Sequence, residues 1–459
     1  MTWTRKQLSI LAIVAITSFM GTFLISSINI ALPAIEKSFG LDAVTLSWVI
    51  TAFLLAMAIL LLPVGRWGDL TGIRRLFKAG VLLFTISSLL CAMAPSGLWL
   101  IIFRLMQGAG AALSSTTGPA ILVSGFPINQ RGRVLGISTS AVYLGLAFGP
   151  FAGGLLTQSL GWRSIFYTSF IIGILVVTIT WVFLGKDKVP KDSQPQKINL
   201  KGLIFYIAGL ISLVYGSSII PEVTGWTLMA LGVLALIIFW SIESRSTNPV
   251  IQTELFTKNR LFAFSNLAAL INYSATFAIV FLLSLYLQKI QGLSPRDAGI
   301  ILVAQPIMMA VFSPVAGRAS DKIQPRYLAT IGMTMCTLGL AAFAFLNENT
   351  PLWGIVALLI WVGLGFALFS SPNMNTIMSS VDKTKYGLAS GTAATMRVVG
   401  QITSMTIATF FFALLFSGKA VDIIENETFL IAMQYGFITF ALIAIAGIWF
   451  SFSRGSIKR

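Results

Sequence analysis

The chain has 459 residues, of which 56% are hydrophobic and only 10% charged; it carries a formal net charge of +16 and no histidine. Soluble globular chains carry about 25% charged residues, so an ordinary soluble enzyme, a disordered chain and a fibrous one are excluded. The missing His removes the commonest general base and transition-metal ligand, and Cys91 and Cys336, in separate apolar runs, read as packed thiols rather than a disulfide or metal pair.

Taken in order, fourteen apolar runs cover 8–30, 46–64, 76–95, 98–123, 133–156, 163–184, 201–220, 226–242, 261–287, 297–316, 327–346, 352–378, 387–416 and 428–452. A membrane-crossing helix needs about 20 apolar residues, and the short alternating strands of a membrane barrel do not occur here. The predicted class is an all-α polytopic membrane protein with fourteen transmembrane helices. The first run follows Arg5 and Lys6, but it is too long for a signal-peptide core. SINIALPAIEKSFG offers no small-residue cleavage site, so the run reads as a retained span. With fourteen spans both termini share a side. That side holds 24 Lys and Arg, the opposite loops hold Lys37, Arg163, Lys289, Arg296 and Lys419, and Arg104 and Arg397 fall inside spans. The positive-inside rule then places both termini in the cytoplasm, which makes the net charge a topology signal rather than one for nucleic acid. None of the 15 acidic residues is read as mid-span; Glu36, Asp42 and Glu222 are among those expected in the outer loops.

The longest polar connection, GKDKVPKDSQPQKIN at 185–199, is a Pro- and Lys-rich linker, and a second basic connection spans 243–260. The two bracket spans 7 and 8. An internal repeat explains the bracketing. GRWGDLTGIRRL from Gly65 matches GRASDKIQPRYL from Gly317, and QGAGAALSS from Gln107 matches VGLGFALFSS from Val362. Weak internal symmetry of this kind marks transporter folds with a central cavity near the midplane. The expected plan is an N-terminal six-helix bundle (1–184), a linker with the inserted spans 7 and 8 (185–260), and a C-terminal six-helix bundle (261–459).

Several segments carry more than span-forming text. In the loop from Gly65, Asp69 stands beside Thr71 where span 3 is expected to begin, able to cap it, with Arg66, Arg74 and Arg75 near. Arg104 is embedded in LWLIIFRLMQGAGAA, where a charge costs about 2.5–3.5 kcal/mol to insert. Arg104, Gln107, Ala111, Ser114 and Ser115 share one helical face, expected to border the cavity. Gly145, Gly149 and Gly153, with Pro150, form overlapping GxxxG patterns that let helices pack backbone to backbone. Trp162 and Arg163 are read as anchors at the outer interface. Polar residues in apolar spans are retained for function or for helix–helix hydrogen bonds. The expected cavity set is therefore Asn29, Arg104, Gln107, Tyr143, Asn272, Gln305, Asn373, Arg397 and Gln401.

The Gly65–Leu76 loop, the span 4 text around Arg104, GLAFGPFAGG from Gly145 and SINIALPAI from Ser27 together resemble the major facilitator superfamily, in its fourteen-span drug:proton antiporter branch. The resemblance covers essentially the whole chain. It implies a secondary transporter that exports amphipathic small molecules in exchange for protons by alternating access. It further implies no cofactor or metal, a multi-pass place in the plasma membrane, and a monomer. Gly65, Asp69, Arg74, Arg133 and the repeat copy Asp321 are implied to form a cytoplasmic gate, with Arg131, Arg133 or the start of span 13 near Gly387 as partners of Asp69. The glycine motif of span 5 is implied to be of antiporter type. The chain departs from the pattern of cation exporters, which commonly hold a carboxylate within the membrane. Competing readings are a metabolite or nutrient transporter of the same fold and a non-transporting receptor or scaffold. An intramembrane enzyme is disfavoured by the absent His and mid-span acid, and no phosphate-binding GxxxxGK[ST] loop is present for ATP drive.

Overall fold

The computed structural model describes residues 3–127, 131–185, 199–246, 251, 253–382 and 386–455. The described residues are helical, without strands. In the first half the helices are α1 (Arg5–Phe39), α2 (Ala43–Thr71), α3 (Ile73–Ala92), α4 (Gly97–Gly125), α5 (Arg131–Leu160) and α6 (Arg163–Phe183). An inserted hairpin, α7 (Leu200–Ser218) and α8 (Val223–Arg245), and the short α9 (Thr253–Lys258) follow. The second half contains α10 (Arg260–Thr276), α11 (Ala278–Lys289), α12 (Pro295–Leu302), α13 (Ala304–Lys322), α14 (Pro325–Phe343), α15 (Leu352–Ser379), α16 (Tyr386–Phe416) and α17 (Asn426–Ser453). Fourteen segments are long and apolar enough to cross a membrane.

Local chemistry starts these helices where polar residues precede apolar text. Thr4 and Gln7 form a reciprocal capping box on α1, and Asp42 accepts from the backbone N–H groups of Val44 and Thr45 at 2.9 Å to start α2. Two expected spans are each split. Span 9 breaks between α10 and α11 at Phe277, where the Ala278 N–H donates to Ser404 Oγ of α16 at 3.0 Å. Span 10 breaks between α12 and α13 at Val303. Irregular backbone at such depth is tolerated only where protein supplies the missing partners, which an apolar run cannot reveal.

The helices form two six-span bundles. In the first, α1 packs on α5 and α6, and α4 on α2 and α3; in the second, α15 packs on α13 and α14, and α17 on α10, α14 and α16. The seam between bundles is made by α2 against α16 on one side and by α5 against α12 and α13 on the other. The inserted hairpin covers the first of these seams, since α7 touches both α2 and α16. Tyr206 donates to the Ala58 carbonyl at 3.0 Å, and Trp48 donates to Ser218 Oγ at 3.0 Å.

Three local expectations are corrected. Asp69 does not stand at the start of span 3: it lies within α2, which continues to Thr71, and Gly72, at φ 96°, occupies the N-cap position of α3. Trp162 is not an interfacial anchor. It is 3% exposed, donates to Ser38 Oγ at 2.9 Å and lies beneath the Arg163 guanidinium at 4.3 Å. Glu36, expected in a loop, lies in the last turn of α1 and is buried between the two bundles.

Candidate functional site: the seam between the bundles

At the face opposite the termini the halves are sealed by direct bonds. The Asp422 N–H donates to Glu36 Oε1 at 2.8 Å, and the Ala43 N–H to the Lys419 carbonyl at 3.1 Å. Thr409 Oγ1 donates to Ser47 Oγ at 2.8 Å, Ser284 to the Asn29 carbonyl at 2.6 Å, and Gln288 to the Ile30 carbonyl at 3.0 Å. The backbones also meet where Gly299 of α12 lies against the Pro150 carbonyl of α5. Lys289 reinforces the seal by donating to the Asp422 carbonyl at 3.0 Å. A further contact between the six-span bundles lies deeper: Tyr143 Oη of α5 is 3.5 Å from Ser370 Oγ of α15.

That deeper contact marks a polar group inside the seam. Tyr273 of α10 lies beside it, packed against Gly400 of α16 on the helical face that also carries Arg397. Its ring packs edge to face on Phe366, 5.5 Å between centroids. Counting along the helices at 1.5 Å per residue, Tyr143, Tyr273 and Arg397 stand about 16–20 Å from the helix ends at the terminal face. Four helices from both halves thus converge near mid-membrane. Arg397 and Gln401, one turn apart on α16, remain partly accessible.

The other residues expected at a cavity are placed elsewhere. Arg104 is fully buried inside the first bundle, donating from Nε to the Val49 carbonyl at 2.8 Å and from a terminal nitrogen to Gln107 Oε1 at 2.5 Å. Its guanidinium lies 4.4 Å from the Phe53 ring centre, and Gln107 continues the chain to Ser88 Oγ at 2.8 Å. The face carrying them packs against α2 and α3 instead of lining the seam. Asn272 points from α10 to Met333 Sδ of α14 at 3.1 Å, inside the second bundle. Asn373 is held by the Ser265 carbonyl and by Arg454, whose guanidinium donates to Asn373 Oδ1 at 2.6 Å and to the Pro325 carbonyl at 2.8 Å. Gln305 is buried on α13 beside Gly363 of α15. Asn29 is buried near the sealed face, its amide bonded to the Ile25 carbonyl at 3.2 Å.

At the terminal face, Gly65 is exposed and the Arg74 guanidinium lies near Gly185 at the end of α6. The side chains of Asp69, Arg131, Arg133 and Asp321 lie outside the described residues, and Gly387 lies in the first turn of α16. Gly145, Gly149 and Gly153 form the α1–α5 contact within the first bundle.

The sequence reading missed Tyr273, Ser370 and Arg454. Tyr273 and Ser370 are polar groups in apolar runs, so the signal that selected Asn272 and Asn373 was equally present one and three residues away. Arg454 had no signal. It stands at the edge of a basic tail, yet it is 2% exposed, and burial lowers its pKa to about 9. It stays cationic at neutral pH.

Replacing Arg104 by Ala is expected to lower the unfolding temperature of the purified protein. Each buried acceptor left without its donor costs about 1–3 kcal/mol. Thermal unfolding in detergent tests this, and an unchanged midpoint would show that the bundle does not depend on the network.

The family model for the Major Facilitator Superfamily matches residues 11–405. The chain belongs to this superfamily. Its fourteen spans fit the fourteen-span branch. It is 33% identical over 448 residues to the riboflavin transporter RibZ of Clostridioides difficile, covering 95% of this chain and 96% of that one. It is 30% identical over 414 residues to the multidrug resistance protein Stp of Mycobacterium tuberculosis, covering 88% and 75%. Among solved structures, a D-xylose–proton symporter superposes with a TM-score of 0.67 at 14% identity, covering 97% of each chain. A bacterial homologue of the human lysosomal transporter Spinster, in an inward-facing, unoccupied conformation, gives 0.67 at 16% identity, covering 99% and 98%. At these identities the two structures share the fold alone. Membership makes this superfamily protein a multi-pass membrane transporter, not an enzyme.

Proposed function

We propose that this transporter exports amphipathic small molecules in exchange for protons by alternating access, as a monomer in the plasma membrane with both termini cytoplasmic. The observation that carries the reading is the seal itself: bonds from both bundles meet at the face opposite the termini, above a polar cluster contributed by both halves. With the termini inside, a placement that the 24-to-5 distribution of basic residues supports, this is the state closed to the exterior. Similarity to multidrug resistance proteins supports the outward direction. The division into bundles at 1–184 and 261–459, with an inserted unit between, is part of the same proposal.

For the proton, Asp69 serves as the gate carboxylate, paired with a basic residue such as Arg74 or Arg133 and mirrored less strongly by Asp321. The buried Glu36 is a second carboxylate between moving parts. The test is efflux from proteoliposomes with and without a pH gradient, using anionic, neutral and cationic dyes. Gradient-driven dye extrusion is expected, and Asp69→Asn should slow turnover more than it weakens apparent affinity. Transport indifferent to the gradient would overturn proton exchange, and normal turnover in Asp69→Asn would remove that residue from the gate.

A second reading, carriage of a metabolite of riboflavin's kind, is favoured by the 33% identity to RibZ across nearly both whole chains. The same vesicles distinguish the two. Saturable transport of riboflavin, with dyes neither carried nor competing, would replace multidrug export by a dedicated route.

A further inference from the structure

We propose that the seam holds an anion-recognition site centred on Arg397, and that the molecules it selects are planar aromatic amphiphiles bearing a negative charge. This deepens the transport reading above and rests on it for the location of the site, but not on the direction of transport or its coupling.

Three arginines in or beside the spans differ in their surroundings. Arg104 and Arg454 are buried inside one bundle or the other, and their guanidinium groups are engaged with carbonyl and amide oxygens at 2.5–2.8 Å. They serve packing. Arg397 differs in each respect. It sits eleven residues into α16, it is partly accessible, and among the described residues no hydrogen bond or ion pair holds its side chain. An ion pair of the ordinary kind, Lys258 with Glu254, lies instead on the exposed surface of α9. The accessibility of Arg397 is not toward lipid, because Arg397 shares one face of α16 with Gly400, which lies against the Tyr273 side chain of α10, and with Ser404, which accepts from the Ala278 N–H. A cation within the membrane that faces protein and has no counter-ion marks a place where the counter-charge is brought by a ligand.

The surroundings define the rest of the ligand. Tyr273 and Phe366, locked edge to face, supply a rigid aromatic wall from the second bundle, and Tyr143 faces it from the first. Aromatic walls favour planar, polarisable molecules. The hydroxyls of Tyr143 and Ser370, 3.5 Å apart, form a weak contact that an acceptor on the ligand can replace. A guanidinium prefers flat, two-oxygen anions such as carboxylate and sulfonate, which it engages through two parallel bonds. The site spans both halves, so a bound anion would touch the two parts whose separation changes during transport. A permanent cation in the same place would meet Arg397 with no carboxylate among the described residues to offset it.

The experiment measures equilibrium binding to the purified full-length protein in nanodiscs, by fluorescence polarisation. The probes are fluorescein, an anion, and tetramethylrhodamine methyl ester, a cation on a similar ring system. Wild type is expected to bind fluorescein at least about tenfold more tightly than the rhodamine ester. Arg397→Gln should weaken fluorescein by about tenfold or more and leave the rhodamine unchanged or tighter, whereas Arg397→Lys should recover part of the loss. Equal affinities in wild type, or loss of both dyes together in Arg397→Gln, would overturn the proposal. If Arg397→Gln does not fold, the wild-type ratio and the effect of Tyr273→Leu on fluorescein decide: a ratio near one, or no loss in Tyr273→Leu, overturns it. Binding is read without transport. Arg397-dependent fluorescein binding with no efflux would therefore refute export while leaving this site in place, and efflux confined to the rhodamine would do the reverse.

Discussion

Oxidising a cysteine pair placed at Ser47 and Thr409 is expected to reduce transport to background, and reduction is expected to restore it. The two hydroxyls lie 2.8 Å apart, one on α2 and one on α16, and both residues are buried at the sealed face. Side chains this close can meet the short Cβ separation of a disulfide, about 3.8 Å, with little backbone movement. If the protein works by parting its halves alternately at each face, a covalent tie here leaves it one state. A ligand cannot shift an equilibrium whose second state has been removed. The native thiols of Cys91 and Cys336 are free and buried, so they do not compete for oxidant. Vesicle transport before and after oxidation, with cross-linking verified by mass, makes the comparison. Full transport by the verified cross-linked protein would show that this face stays shut throughout the cycle.

The second large effect is structural and concerns α1 against α5. A Cβ added at Gly153 would lie 2.7 Å from the Ser27 Cα, and one at Gly145 would lie 2.5 Å from the Phe19 carbonyl oxygen and meet Thr22 as well. At Gly149 it would run into the Ser26 side chain. Backbone cannot move aside as a flexible side chain does, so the helices themselves must separate. Ser26 and Ser27 would then lose their bonds to the Leu146 and Gly149 carbonyls, now 3.2 and 2.9 Å. Overpacking costs about 1–3 kcal/mol where neighbours can relax, and this seam has little to relax. Gly153→Leu is expected to abolish the monodisperse peak in size-exclusion chromatography. Gly21→Ala, on the same α1 but with nothing within 4 Å of the added carbon, should elute as wild type. A well-folded Gly153→Leu protein would show that the close approach is not required.

These two predictions differ in how much of them was legible beforehand. The glycine spacing at 145, 149 and 153 announces a close helix contact, because four-residue periodicity is a property of one helix and is written along it. It does not say against what. That α1 is the partner follows from the way six helices fill one bundle. Ser47 and Thr409 carry no signal at all. Each is one hydroxyl in an apolar run, and they meet only because α2 and α16 close the seam.

What the sequence by itself determined is the set of properties that follow from a chain's relation to the bilayer. The lengths of the apolar runs set fourteen crossings, since hydrocarbon thickness admits no shorter helix, and the repeat between Gly65 and Gly317 set two like halves around an insertion. The tertiary structure alone decided which polar residues are structural and which are available. Arg104 and Arg397 look alike in sequence, each a lone cation in apolar text. One is consumed by Val49, Gln107 and the Phe53 ring, while the other stands in the seam beside Tyr273. Arg454 and Glu36, read as solvated ends, are instead buried, the first among α10, α14 and α15 and the second against the loop before α17. The physical reason is the same in each case. A polar group in a membrane protein must find a partner, and whether that partner comes from its own bundle, from the opposite half or from a ligand depends on neighbours distant in sequence.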